Sequence, residues 1–341
     1  MSKYRVGIIG AGIMGDIHAR VYRLNPLTEL VAVADINKNK AQAFAERFEI
    51  PSAYDQFDEM FDECDLDIVS VCTPDFAHAQ PTIAAANKKI NVLVEKPLAT
   101  NVQDALEIIK AAKDNEVKVM AQFSHRWVPA YRQAKDLINR PEAGGPVLAY
   151  TRKNDIISVP TEMIAGWVNQ TTPAWFLSSH DIDLVCWYFG VEPVEVYANA
   201  VFKVLKARGF NTPDAIQAQV KFADGSLATF EACWIYPNTF PTMVDSWVQI
   251  VCENQVIHLD RKYEQIEIAT PSKYEYPRNL LAYHFENDEV HGAVPLSINH
   301  FIRCVDENLE PLVTLESSLT VTRILDAIQK SVETNSRIYL S

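Results

Sequence analysis

The sequence predicts an α/β protein of two domains, a doubly wound parallel sheet followed by an α+β domain built on a mainly antiparallel sheet. Three observations carry this. The chain has 341 residues, more than one hydrophobic core ordinarily serves. Its first third alternates short apolar runs with amphipathic helical patterns, as a parallel sheet covered on both faces does. Past about Phe123, long strand-like stretches follow one another through short turns, as antiparallel neighbours do. The boundary falls between residues 122 and 123, giving domains 1–122 and 123–341.

The apolar runs Val6–Ile9, Leu30–Ala34, Ile68–Cys72, Val92–Val94 and Val117–Ala121 read as the parallel strands. Between them lie helical patterns at Ile13–Leu24, Lys38–Phe48, Ala79–Asn87 and Val102–Asn115. The second region offers strands at Val147–Lys153, Val194–Leu205, Ala215–Phe222, Leu227–Trp234, Trp247–Cys252 and Val256–Leu259. Ala223-Asp224-Gly225 between two alternating runs marks a hairpin, because glycine tolerates the positive φ that such a turn demands. The last helices read as Ser297–Asn308 and Ser317–Thr334.

Composition narrows the function classes. Apolar residues make up 48% of the chain and charged residues 22%, the mix of a folded globular protein. The formal net charge of −13 repels phosphate backbones and anionic lipid, so neither nucleic acid nor a membrane surface is an expected partner. The six cysteines, Cys64, Cys72, Cys186, Cys233, Cys252 and Cys304, form no C-x-x-C pair. They read as reduced thiols, and no metal site is expected. The N-terminus runs straight into a strand without a leader pattern, and no apolar stretch approaches the roughly 18 residues of a membrane span. A cytoplasmic protein is expected.

Gly10-Ala11-Gly12-Ile13-Met14-Gly15 is G-x-G-x-x-G, placed between the first strand and the first helix. The chain has 11 glycines, and four of them lie between Gly7 and Gly15. Such a loop lets the backbone approach a pyrophosphate, which then sits on the N–H groups of the helix start. Asp35 follows Gly15 by twenty residues, at the end of the second strand. A carboxylate there accepts the ribose hydroxyls of NAD and repels the extra phosphate of NADP, for which Ile36 and Asn37 offer no arginine.

Downstream of that loop stand Val92-Leu93-Val94-Glu95-Lys96-Pro97 and Thr73-Pro74-Asp75-Phe76-Ala77-His78. Together with Ser124-His125-Arg126-Trp127-Val128-Pro129 and Ser179-His180-Asp181-Ile182-Asp183, they make the chain resemble the glucose–fructose oxidoreductase and inositol dehydrogenase (Gfo/Idh/MocA) family. The resemblance covers nearly the whole length. It implies a Rossmann domain, then a domain with a large open sheet that binds substrate and mediates oligomerisation, and an active site in the cleft between them. It implies Thr73, Pro74 and His78 along the cofactor, with Glu95 and Lys96 at the nicotinamide end. The family's members mostly oxidise or reduce a carbinol carbon of a sugar or cyclitol.

Hydride transfer from a secondary alcohol needs a base for the hydroxyl proton and a positive charge for the developing alkoxide. Lys96, at a strand end, is the candidate for that charge. His180 follows Ser178 and Ser179 as N-cap candidates, so it is expected in the first helical turn, where the helix dipole keeps the ring neutral. Asp183, three residues on, is expected to orient that ring. Asp181 reads as a first-turn carboxylate pointing away. Inositol dehydrogenase-like members carry an aspartate four residues before the catalytic histidine; here that position is Phe176, which cannot accept a proton. Arg126 reads either as a contact to a substrate hydroxyl or carboxylate or as an interdomain ion pair. Asn154 and Tyr236 occupy strand ends where relatives place polar groups against the sugar. One or two of Trp127, Trp167, Trp175 and Trp234 are expected in the pocket, with Trp127 and Phe176 among the substrate contacts.

The expected function is NAD-dependent transfer of hydride to or from a secondary hydroxyl of a sugar or inositol-like cyclitol. Two alternatives remain at this level: elimination or glycoside cleavage through transient oxidation, and a non-catalytic NAD-binding regulator. A homodimer or homotetramer is expected, because an open sheet with an uncovered face usually finds a partner.

Overall fold

The computed structural model describes residues 3–262, 266–276, 281–287 and 289–340. By contacts the chain falls into two compact units, Met1–Ser124 with Ala282–Leu319, and His125–Leu281 with Thr320–Ser341.

The first unit holds β1 (Tyr4–Ile9), β2 (Thr28–Ala34), β3 (Ser52–Tyr54), β4 (Ile68–Val71), β5 (Asn91–Val94) and β6 (Val119–Ala121) in the order β3-β2-β1-β4-β5-β6. All five pairings are parallel. Consecutive residues such as Ile68 and Val69, or Val92 and Leu93, are fully enclosed, because helices cover both faces and neither side-chain phase of the strand meets water. The covering helices are α1 (Ile13–Leu24), α2 (Lys38–Phe48), α3 (Phe57–Glu63), α4 (Ala79–Asn87) and α5 (Val102–Asp114). The Asn37 side chain accepts from the Lys40 N–H at the start of α2, and that of Asn101 from the Asp104 N–H at the start of α5, so each cap satisfies a helix-end donor. The short elements β3 and α3 carry too few residues for a periodic signal and escaped the sequence pattern. The strand order reverses between β1 and β4, the topological switch at which such sheets open a crevice for ligands.

The expected division at 122/123 misses one feature. The segment Ala282–Leu319 groups with the first unit, where α9 (Ala293–Asp306) packs on α1 and β5. Ile298, Phe301 and Ile302 form its buried stripe. An amphipathic helix announces that it has an apolar face but not which sheet that face covers.

The second unit is a seven-stranded sheet of β7 (Pro146–Ile156), β8 (Pro193–Val201), β9 (Ala215–Phe222), β10 (Leu227–Tyr236), β11 (Val244–Cys252), β12 (Val256–Asp260) and the terminal strand Ile338–Tyr339. The order is β12-β11-β7-β10-β9-β8 and then the terminal strand. Gly225, at φ +92°, turns β9 into β10 as expected. The sheet is mixed rather than a succession of antiparallel neighbours: β7 inserts between β10 and β11 and runs parallel to β10. The expected strand Val194–Leu205 ends at Val201 and gives way to α8 (Val204–Ala207). Its cause is Asp214, whose carboxylate accepts the N–H groups of Lys203, Val204 and Leu205, each at 2.7 Å. Helices α6 (Pro129–Ile138) and α7 (Ser179–Phe189) pack together, and α7 lies on β7 and β10. The final helix, α10 (Leu315–Thr334), starts within two residues of its expected position.

Candidate active site

The glycine loop has the geometry of a phosphate cradle. At Gly10, with φ +102°, a side chain would stand 2.5 Å from the Cys72 carbonyl; at Gly15 it would stand 2.1 Å from that of Gly10. Gly12 faces space with no heavy atom within 4 Å, so a ligand can come directly against the backbone. Ile13 is exposed and Met14 half-buried. The Asp35 carboxylate accepts the Ala11 N–H at 2.9 Å and the Asn37 N–H at 2.8 Å. Each oxygen keeps a lone pair for a ribose hydroxyl. The residues present therefore fit a dinucleotide.

Lys96 leaves the carboxyl end of β5 and is half-buried. The residue before it is tied down: Glu95 Oε1 lies 3.1 Å from His18 Nε2, and Oε2 accepts the Lys96 backbone N–H at 3.3 Å. Behind them His18 Nδ1 meets Ser70 Oγ at 3.0 Å, and Ser70 Oγ meets the Tyr22 hydroxyl at 2.8 Å. Thr73 donates to the Ala77 carbonyl at 3.1 Å, and Pro74 opens a short 3-10 turn. His78 does not lie open along this edge. It is buried, with Nδ1 2.7 Å from the Pro97 carbonyl and Nε2 3.0 Å from that of Thr73. Burial lowers its pKa, and the two carbonyls oppose that shift. His78 therefore ties the Thr73-Pro74 turn to the Lys96-Pro97 turn.

In the second unit the helix carrying His180 starts earlier than expected. A π-helical turn, Ala174–Ser178, leads directly into α7, and Ser178 is helical without a side-chain cap. His180 is therefore not in a first turn, and the dipole argument for its neutrality does not hold. Thr172, Phe176 and His180 are the half-buried positions of the segment 171–180, a stripe with four-residue spacing. Phe176 packs at 6.0 Å from Trp167 and 6.2 Å from the enclosed Trp234, ring centroid to centroid. Trp127, Trp175 and Trp234 are all buried.

Asp183 is committed elsewhere than to the His180 ring. Its carboxylate accepts from Arg126 Nε at 2.9 Å and Nη2 at 2.6 Å, and both side chains are buried. Burial pushes the Asp183 carboxyl upward against the opposing pull of Arg126. Trp187 lies under the guanidinium at 5.5 Å. Arg126 thus makes a buried ion pair with Asp183 within its own unit. Asp181, expected to point outward, is fully buried and paired with Lys153 at 3.3 Å. Asn154 and Tyr236 bond to each other. On β7 the inward phase carries Thr151 and Lys153 toward α7, whereas Asn154 takes the opposite phase and donates to Glu231 and Tyr236, each at 2.9 Å.

Residues 4–123 match the family model described as "Oxidoreductase family, NAD-binding Rossmann fold", and residues 145–340 match that described as "Oxidoreductase family, C-terminal alpha/beta domain". The chain belongs to the Gfo/Idh/MocA family. NAD is the cofactor of its Rossmann unit. Among curated relatives, the inositol 2-dehydrogenase of Rhizobium meliloti is 25% identical over 99% of each chain. The myo-inositol 2-dehydrogenase of Thermotoga maritima is 26% identical over 67% of each. The match to the uncharacterized oxidoreductase YrbE of Bacillus subtilis, at 27% identity, covers 56% of this chain and only 55% of that protein. Among solved structures, the scyllo-inositol dehydrogenase of Lactobacillus casei with bound NAD(H) and scyllo-inositol superposes with a TM-score of 0.85 at 19% identity, over 99% of both chains. That likeness establishes the Gfo/Idh/MocA fold.

Three buried polar residues of this Gfo/Idh/MocA chain, His18, His125 and Lys153, and the half-buried Arg261 were assigned no role from the sequence. His18 sits three residues after Gly15, on the enclosed face of α1, where a histidine must find partners. Lys153 falls on the inward phase of β7, a charged residue in register with Ala149 and Thr151, and that phase was the available signal. His125 stands within the Ser124–Pro129 motif, but its contact with Arg261 gave no signal, since it joins residues 136 apart.

Proposed function

We propose that this protein is an NAD-dependent dehydrogenase acting on a secondary hydroxyl of a sugar or cyclitol. The observation that carries the reading is the Glu95-Lys96-Pro97 turn at the carboxyl end of β5, braced by His18 of α1 within the NAD-binding unit. Bound NAD supplies the hydride acceptor. The Lys96 ammonium holds the substrate oxygen and stabilises the alkoxide as the carbon loses its hydride. His180 accepts the hydroxyl proton. Arg126 and Asp183 neutralise each other within the second unit, and Asp35 selects the cofactor. The inositol dehydrogenases among the relatives support a polyol, and Phe176 supplies a C–H-facing surface beside His180. We further infer a homo-oligomer, supported by the exposed Val147, Leu148, Tyr197 and Val201 on the seven-stranded sheet.

A screen of inositols, aldoses and sugar acids with NAD, followed by NADH absorbance, tests this. A cyclitol or sugar that yields NADH in stoichiometric amounts with product is the expected result. Consumption of a glycoside without accumulation of NADH contradicts it.

A further inference from the structure

The polar cluster around His180 contains groups that hydride and proton transfer do not use. His125 lies parallel to His180, with ring centroids 4.1 Å apart and planes inclined by 17°. It is buried, and both of its nitrogens face cationic side chains. Nε2 is 2.6 Å from Arg261 Nη1, and Nδ1 is 3.5 Å from Lys153 Nζ.

A guanidinium has donors only, so the short contact requires the lone pair of His125 to be on Nε2. An imidazolium has no lone pair on either nitrogen and cannot accept there. The ring is therefore neutral, with its hydrogen on Nδ1 and directed at Lys153. Lys153 Nζ, 3.5 Å away, accepts that hydrogen only as the neutral amine. Burial lowers it to about 8 while Asp181 pulls in the opposite direction, and at lower pH the Lys153 ammonium acts on the ring by disfavouring a further positive charge beside it. Asp155, on the same strand, and Arg261 also act on Lys153. Tyr131 of α6 faces His125 with ring centroids 5.7 Å apart, and burial keeps its phenol protonated.

We propose that His125 is the positioning residue of His180: Arg261 and Lys153 lock it as a neutral ring, and the locked ring sets the plane of His180 without placing a second positive charge beside it. A charged His125 at stacking distance would repel the imidazolium that His180 becomes on accepting a proton. The lock thus supplies what a helix N-terminus does not supply here. The proposal rests on the reading of His180 as the base.

The first test needs no substitution. Long-range 1H–15N spectra of the imidazoles in the full chain, from about pH 5.5 to 8, span the ordinary histidine range around 6.5. His125 is expected to remain in the Nδ1–H form throughout. Arg261→Met is expected to make it titrate within that range, and Arg261→Lys to restore the neutral ring. Titration of His125 in the unsubstituted protein, or an Nε2–H tautomer, overturns the proposal.

The second test is kinetic, with the polyol that the NADH screen identifies. His125→Ala should lower kcat by about tenfold or more, because the ring plane of His180 is no longer set. His125→Phe keeps a flat ring and should stay within about threefold of wild type, with KM little changed in both. Equal losses in the two variants, or a rise in KM alone, overturn the positioning role. Failure of the base reading shows separately: His180→Ala would retain full turnover while the His125 spectra still behave as expected.

Discussion

Asp35 is held before any ligand arrives. Its two oxygens each take one backbone N–H, from Ala11 and Asn37, which fixes the carboxylate at the end of β2. A phosphate on the ribose would meet that charge, and Ile36, 95% exposed, offers it nothing. The unsubstituted protein should therefore show a higher kcat/KM with NAD than with NADP. Asp35→Ser combined with Ile36→Arg should move the preference toward NADP by about tenfold or more. Faster turnover of NADP by the unsubstituted protein at equal concentration contradicts this. Lys96 makes the complementary case. Lys96→Met removes alkoxide stabilisation worth about 3 kcal/mol or more, so turnover should nearly vanish. The glycine loop and Asp35 are untouched, and NAD affinity by calorimetry should be unchanged. A variant that keeps most of its kcat would remove Lys96 from the mechanism.

At the scale of elements, the helical segment from Pro173 to Phe189 carries both the proposed base and core packing. Its π-helical turn leads the chain into α7 and leaves Phe176 and His180 half-buried one turn apart. The two residues should separate experimentally. Phe176→Ala loses its contacts with Trp167 and Trp234, and stability should fall by about 2 kcal/mol with the pH profile of kcat/KM unchanged. His180→Ala should instead remove the acid limb of alcohol oxidation, since only the neutral ring accepts a proton. A pH profile altered by Phe176→Ala and not by His180→Ala would mean that the active stripe is on another face. Lower on the same helix, Asp183 binds Arg126 in a buried pair. Arg126→Met leaves that carboxylate enclosed without its cation, at a cost of about 3 to 5 kcal/mol. Urea unfolding measures it, and a loss below about 1 kcal/mol would show the pair to be solvent-relaxed.

Across the whole molecule, burial pushes up the thiols of Cys72, Cys186, Cys233, Cys252 and Cys304. Unfolded thiols ionise near about 8.5, whereas the folded chain retains those protons. The folded state then binds more protons, and stability falls as pH rises above about 8.5. Lys153 works in the opposite direction. Its folded value of about 8 lies below the unfolded one, so its contribution to stability grows above pH 8. Burial lowers Lys135 in the same way, and five thiols against two amines set the net sign. The urea midpoint should decline from about pH 8 to 10, and Cys186→Ala should flatten the decline. A midpoint that rises over this range contradicts the balance.

The parallel sheet, the glycine loop, Asp35 and the Lys96 turn were legible because each is encoded within one stretch of chain. Glycine spacing, an acid twenty residues on and apolar runs between helical patterns need no distant partner. The partners of buried charges were a different matter. Lys153 reaches Asp181 across 28 residues, Arg126 reaches Asp183 across 57, and His125 reaches Arg261 across 136. A charge taken out of water must find an opposite charge or a hydrogen bond, and the sequence alone shows that need without showing who meets it. The phase of β7, the insertion of that strand between β10 and β11, and the docking of α7 upon them choose the partners. By itself the sequence determined the nucleotide fold, the cofactor and the lysine at its edge. Only tertiary structure decided that Asp183 belongs to Arg126, and that His180 is flanked by His125 instead of standing at a helix end.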